Sequence, residues 1–292
     1  MNDHLKGLLL TTLGIFLVLQ DTLFVRIISA EAMITAFWRC IFSGGIILIF
    51  ILLTQGLSPF RAVFRAGWPA AIYTLIIATT TPAIVLAVRN TSVANVVFIF
   101  ACMPIFAVIF SRIFLAEAIK TRMILTMLAV FIGLGVIAYG SQSSEISSWK
   151  GDLWALYISI SYAAGLTAVR RVKDTSMVPT LPMAYLGTAF LLLFFIDPLP
   201  ALSAEWPLFI SHGGFIAAGS CLIAIGPRYI SAAEVSLVIL LESALAPVLV
   251  WFVVGENPGK LAIIGGAIVI LAMVTSNVYE LLRSRKKQTD SS

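Results

Sequence analysis

The sequence predicts an all-α membrane protein with ten transmembrane helices, arranged as two inverted five-helix repeats with both termini cytoplasmic. Three observations predict it. Ten apolar stretches of roughly 20 residues run through the 292-residue chain, each long enough to cross about 30 Å of hydrocarbon at about 1.5 Å per residue. Lys and Arg gather on one side of those stretches. The second half of the chain repeats signals of the first at a fixed offset.

Composition excludes the other solvents. The chain is 60% hydrophobic and 11% charged, with a mean hydropathy of +1.03, an excess no water-soluble core needs. Runs such as Ile46 to Leu53 and Ala262 to Val274 are apolar all round, where a soluble helix would alternate faces. The weak alternation of a transmembrane β-barrel is absent from the sequence.

The spans read in order as 5–25, 31–54, 67–87, 92–114, 122–140, 152–170, 180–197, 206–225, 232–254 and 260–282. Turn and charge signals separate them: Gly56-Leu57-Ser58-Pro59, Ser141 to Lys150, Arg170 to Pro179, Asp197-Pro198-Leu199-Pro200 and Gly255-Glu256-Asn257-Pro258. Lys6 precedes the first span, which reads as a helix rather than a cleavable leader.

With ten spans, one side holds Lys6, Arg61, Arg65, Arg112, Lys120, Arg122, Arg170, Arg171, Lys173, Arg228, Arg283, Arg285, Lys286 and Lys287. The other holds Arg26, Arg89, Lys150 and Lys260. Fourteen cations against four place that first side, and both termini, in the cytoplasm. The net charge of +5 is thus explained by topology, and no nucleic-acid partner is expected.

An offset of 139 carries Arg89, Ser92, Ala94, Val96 and Glu117 onto Arg228, Ser231, Ala233, Val235 and Glu256. Each half holds a proline-bearing helix (Pro104, Pro247) running to that glutamate, then a helix with internal glycines (Gly133, Gly135; Gly265, Gly266). Lys6-Gly7 and Arg26 recur as Lys150-Gly151 and Arg170. A five-span repeat is odd-numbered, so the second copy enters the membrane upside down, an architecture suited to alternating access around a midplane site. The organisation is a first repeat over 1–140, an external linker over 141–150, a second repeat over 151–282 and a basic tail over 283–292.

Phe37-Trp38-Arg39 in the second span, Met103-Pro104-Ile105-Phe106 leading to Phe114-Leu115-Ala116-Glu117, and Ala246-Pro247-Val248-Leu249 leading to Val254-Gly255-Glu256-Asn257-Pro258 carry a resemblance. They resemble the Trp-Arg-Phe signature, the Pro-x-Phe helix and the Leu-Gly-Glu end of the drug/metabolite transporter superfamily, EamA type, with the last element repeated. Ten helices with both ends inside are similar to the bacterial YddG-like aromatic amino-acid exporter group. Leu19-Gln20-Asp21-Thr22-Leu23 departs from the common Trp-Gly pattern and is similar to carriers of other metabolites. The resemblance implies a bacterial inner-membrane secondary transporter that exports small amphipathic metabolites, aromatic and related neutral amino acids foremost. Carriers of nucleotide-like, purine or vitamin-type substrates stay open as the alternative. A membrane enzyme would need a nucleophile, base or metal cluster. Two histidines, no HExxH and no G-x-S-x-G argue against one, so no catalytic residue, cofactor or metal is expected. Cys40, Cys102 and Cys221 lie in apolar spans without metal-ligand spacing.

Ionisable and polar groups at depth are the candidate site residues. Glu242, in the ninth span, is either a proton site or ammonium contact, or a neutral acid bonded between helices. Asp21 and Arg39 lie at similar depth on adjacent helices, either as a structural ion pair or as a substrate contact and outer gate. His212 is either a proton relay or an interhelical hydrogen-bonder. Trp38, Tyr162, Tyr73, Phe98 and Met103 either stack on a substrate or pack the core, and Asn95 is a candidate for the outer vestibule. Pro104 and Pro247 are either packed kinks or hinges. Glu117 and Glu256 are expected to pair with nearby Lys or Arg as interface locks. The expected partners are a small-molecule substrate and the lipid bilayer, with protons left open as a coupling ion and the chain a monomer.

Overall fold

The computed structural model describes residues 3–90, 96, 99–140, 149–255 and 259–289, and among these every regular element is helical. The first half holds α1 (Asp3–Val18), α2 (Gln20–Ile27), α3 (Ala32–Gln55), α4 (Ser58–Ala66), α5 (Trp68–Asn90), α6 (Met103–Leu115) and α7 (Thr121–Gly140). The second holds α8 (Trp149–Arg171), α9 (Thr180–Leu192), α10 (Leu199–Ile225), a single 3₁₀ turn (Gly226–Arg228), α11 (Ala232–Ile239), α12 (Leu241–Val254) and α13 (Lys260–Thr289).

Six helical spans are long and apolar enough to cross a membrane among the described residues, or seven if the bent pair Ser58–Ala66 and Trp68–Ile84 is one span. Met103–Leu115, Thr180–Leu192 and Ile263–Ser276 are shorter apolar helices. The outer surface is greasy: Leu53 is 82% exposed, Phe195 82% and Phe252 80%, as a lipid-facing surface requires.

One expectation needs correction. The segment after Gly56 is not loop. Pro59, near the start, favours the first helical turn, and α4 lays Val63 against the core while Arg61 and Arg65 stay exposed. Gly56 (φ +64°) and Gly67 (φ +70°) bracket α4, and the chain turns by 104° into α5. Those left-handed positions favour glycine because a Cβ is strained there.

The halves are interleaved. The main packing partners of the first half come from the second: α5–α8, α1–α10, α3–α10, α5–α9, α3–α9, α6–α8, α6–α11 and α7–α13. Exchanging the halves maps six of these eight pairs onto one another. α1–α10 becomes α5–α8, α3–α10 becomes α5–α9, and α3–α9 and α7–α13 are unchanged. At the α7–α13 crossing a Cβ on Gly133 would lie 2.8 Å from the Gly265 carbonyl oxygen, so the two glycines let these backbones touch.

Charged groups tie the halves at the end of the bundle where α1 begins. Glu234 Oε1 accepts from Arg122 at 2.6 Å and meets His4 Nε2 at 3.3 Å. Arg122 also donates to the carbonyl and hydroxyl of Ser276 at 3.0 and 2.8 Å. Glu117 accepts from Arg170 at 2.9 Å, as expected for an interface lock, and Arg170 donates to the Pro227 carbonyl at 3.0 Å. Glu256 lies outside the described residues.

Candidate functional site

A cavity of about 150 Å³ lies between the halves. It opens where three long apolar stretches are broken. α1 gives way to α2 at Leu19, α6 starts after a turn at Ala101 and Cys102, and α11 gives way to α12 at Leu240. The breaks are tight turns rather than unwound chain: Leu240 (φ −65°, ψ −13°) donates to the Leu237 carbonyl at 3.1 Å, and Cys102 (φ −75°, ψ −16°) to Ile99 at 3.0 Å. The offset of 139 carries Ala101 onto Leu240 and Met103 onto Glu242. The repeat therefore places a methionine and a carboxylate at equivalent cavity-facing positions, one residue or two past each break.

The cavity brings together Asp21, Arg39, Glu242, Tyr162 and Met103. Asp21 and Arg39 meet, with Oδ2 3.2 Å from a terminal guanidinium nitrogen. Asp21 Oδ1 is hydrogen-bonded to His212 Nε2. Glu242 stands apart, with no hydrogen bond or ion pair to any described residue, yet close enough to feel the charges of Asp21 and Arg39. Thr80, Thr81, Ser159, Tyr185 and Ser220 add hydroxyls to the wall; Tyr185 shares a 2.7 Å hydrogen bond with Ser220. Phe100, Ile77 and Ile223 supply apolar surface. The lining is amphipathic: it combines a guanidinium beside one carboxylate, a second carboxylate, and aromatic and aliphatic side chains.

Other candidates sit elsewhere. Trp38 does not reach the cavity. Its indole donates to the Pro198 carbonyl at 3.0 Å and its ring is wedged among Phe37, Phe42 and Phe209, so the rotation of α3 sends it into the core while Arg39 turns inward. Tyr73, 2% exposed, fills the α5–α8 contact, where a Cβ on Gly165 would stand 3.2 Å from its ring. His212 is fully buried one layer behind the cavity, stacked on Phe24 at 5.1 Å. Pro104 lies near the start of α6, where a missing N–H breaks no helical bond, rather than at an internal kink. Pro247 lies within α12, past the break at Leu240. Asn95 and Phe98 lie outside the described residues.

Tyr185 and Ser220 were not singled out from sequence. A tyrosine one to two turns into an apolar helix gives no sign of the face it occupies. The run Thr79-Thr80-Thr81 was a visible signal, since three hydroxyls in an otherwise apolar span are unusual lipid-facing residues.

The profile of the EamA-like transporter family matches residues 5–139 and 149–278, one stretch in each half. This chain belongs to that family. EamA-like proteins are membrane transporters, and the family together with the apolar helices makes this chain a multi-pass membrane protein. A crystal structure shares the EamA-like fold with a TM-score of 0.77 at 17% identity, over 96% of this chain and 98% of that one. No curated protein matches the chain.

Proposed function

We propose that this EamA-like protein is a secondary carrier that exports small amphipathic metabolites, amino acids of the aromatic and related neutral kinds foremost, across a bacterial inner membrane. In this reading ten spans, both termini in the cytoplasm and an inverted pairing of the halves let the cavity face each side in turn. Its affinity is with the YddG-like exporters. The observation that carries it is the pairing of opposite charges across one apolar space. Arg39 offers a guanidinium and Glu242 a carboxylate unpaired among the described residues, and Tyr162, Tyr185 and Phe100 line the same cavity. A zwitterion with an apolar side chain matches that pattern, its carboxylate toward Arg39, its ammonium toward Glu242 and its side chain on the rings.

The cavity of about 150 Å³ is smaller than the roughly 300–1,000 Å³ of ordinary ligand pockets, so loading an aromatic side chain requires the walls to part at the helix breaks. Coupling to protons through Glu242 belongs to the same reading. The test is counterflow of labelled phenylalanine, tryptophan and threonine in proteoliposomes, with and without a pH gradient. Saturable uptake accelerated by internal unlabelled substrate is expected. Glu242→Gln is expected to leave the fold intact and flatten the pH dependence of flux. Folded protein that moves none of the three would remove the amino-acid assignment and leave the carrier fold. Unchanged flux and pH dependence in Glu242→Gln would remove the proton role.

A further inference from the structure

Arg39 is held by a partner it can leave. Its contact with Asp21 uses one terminal nitrogen at 3.2 Å, and among the described residues its Nε has no hydrogen-bond partner although the atom is buried. Asp21 does not depend on Arg39 alone, because its other oxygen is bound to His212. The imidazole is clamped by Phe24 at 5.1 Å, is 0% exposed, and has no partner for Nδ1 among the described residues.

The charged and titratable groups around this imidazole are few. Its own charged contact is Asp21 from α2, and the groups acting on the Asp21–Arg39 pair beyond it are Cys40 from α3, Tyr185 from α9 and Glu242 from α12. On α10 itself, Glu205 is occupied by the backbone N–H groups of Ser29 and Ala30 at 2.8 and 3.2 Å. α1, also packed on α10, carries its titratable groups Asp3, His4 and Lys6 in its first turns, and His4 is spent on Glu234. With a neutral imidazole, Asp21 and Arg39 cancel. A ligand carboxylate arriving on Arg39 then adds an unbalanced negative charge to a largely buried site. One proton on His212 balances that added charge: the imidazolium keeps Asp21, and the guanidinium turns its fork to the ligand.

We infer that the cavity binds a carboxylate together with one proton, the carboxylate on Arg39 and the proton on His212, with Asp21 passing from the first partner to the second. The balance is one carboxylate and one H⁺ taken from water, with no bond made or broken beyond the new N–H of the imidazolium. His212 is a positioning residue, since it reaches the ligand only through Asp21. The inference rests on the cavity being the ligand site and not on the ligand being an amino acid. At the far end an ammonium meeting Glu242 can displace a proton, so a ligand without an ammonium reports this step alone.

The probe is therefore 3-phenylpropionate, titrated calorimetrically into the purified full chain at about pH 7.5 in two buffers of different ionisation enthalpy. The expected result is uptake of about one proton per probe bound, retained in Glu242→Gln and lost in His212→Gln. The chain has 2 histidines, so imidazole NMR offers a second readout, with the His212→Gln spectrum identifying the signal. That signal should pass from neutral imidazole to imidazolium as probe is added. A signal that stays neutral, a proton count that survives His212→Gln, or no binding of the probe by folded protein would each overturn the inference. Probe binding with proton uptake but no phenylalanine binding would keep it and remove the amino-acid reading. Phenylalanine counterflow with His212 neutral throughout would do the reverse.

Discussion

Two clusters in this molecule are built from the same three side-chain types: a carboxylate, an arginine and a histidine. Glu234 has Arg122 and His4; Asp21 has Arg39 and His212. They differ in how far their hydrogen-bonding capacity is used. Glu234 Oε1 takes Arg122 and His4, while Oε2 takes the N–H and hydroxyl of Ser231 at 3.1 and 3.0 Å, closing the capping box that starts α11. Arg122 fastens Ser276 as well. Four elements from both halves are knotted there, with the carboxylate side chain 9% exposed. Asp21 has one partner on each oxygen, is 24% exposed and faces the central cavity. Identical chemistry makes a strut where every lone pair is filled and leaves hydrogen-bonding capacity facing the cavity where some are not.

The largest effect should come from breaking the strut. Arg122→Met takes the arginine from a buried carboxylate, leaving it His4 and Ser231, and releases Ser276 as well; it is expected to destabilise the fold by about 3–5 kcal/mol. Arg39→Met leaves Asp21 its histidine and is expected to cost less, about 1–3 kcal/mol, while abolishing flux. Unfolding curves in mixed micelles, run beside counterflow, measure both. Equal losses of stability would erase the distinction between the clusters. Gly133→Ala tests whether an apolar contact can brace the halves comparably. The new Cβ, 2.8 Å from the Gly265 carbonyl oxygen, should lower stability by about 1–3 kcal/mol without touching the cavity.

Smaller effects sharpen the same contrast. Trp38→Phe forfeits the bond to Pro198 and should lower stability by about 1 kcal/mol, with the substrate half-saturation concentration unchanged. A weakened half-saturation would return Trp38 to the site. At the end of α6, Ala116 sits in the left-handed region (φ 54°), where the offset of 139 places Gly255 (φ 82°) in the second half. Ala116→Gly should raise stability by roughly 0.5–1 kcal/mol, a gain visible as a higher melting temperature.

What could be read beforehand followed from depth and period. Asp21 and Arg39 meet because two adjacent helices carry them to the same level, which residue counting from the helix ends already indicates. The Glu117 lock was legible because cations crowd that side. The Glu234 knot was not legible. Its members come from α1, α7, α11 and α13, and no local pattern links positions 4, 122, 234 and 276. α4 escaped because Arg61 and Arg65 interrupt its apolar run, leaving one buried residue, Val63, to mark its inner face. Trp38 stayed open between cavity and core because its partner is a backbone carbonyl, invisible in side-chain sequence, and because neighbouring positions on a helix point about 100° apart. Placing Arg39 on the cavity wall removes Trp38 from it.

The small volume between the halves has a consequence for the membrane that contains it. At roughly 30 Å³ per molecule, about 150 Å³ has room for about five waters, too few to form a continuous wire across about 30 Å of hydrocarbon. This central cavity alone therefore gives protons no continuous path across the bilayer.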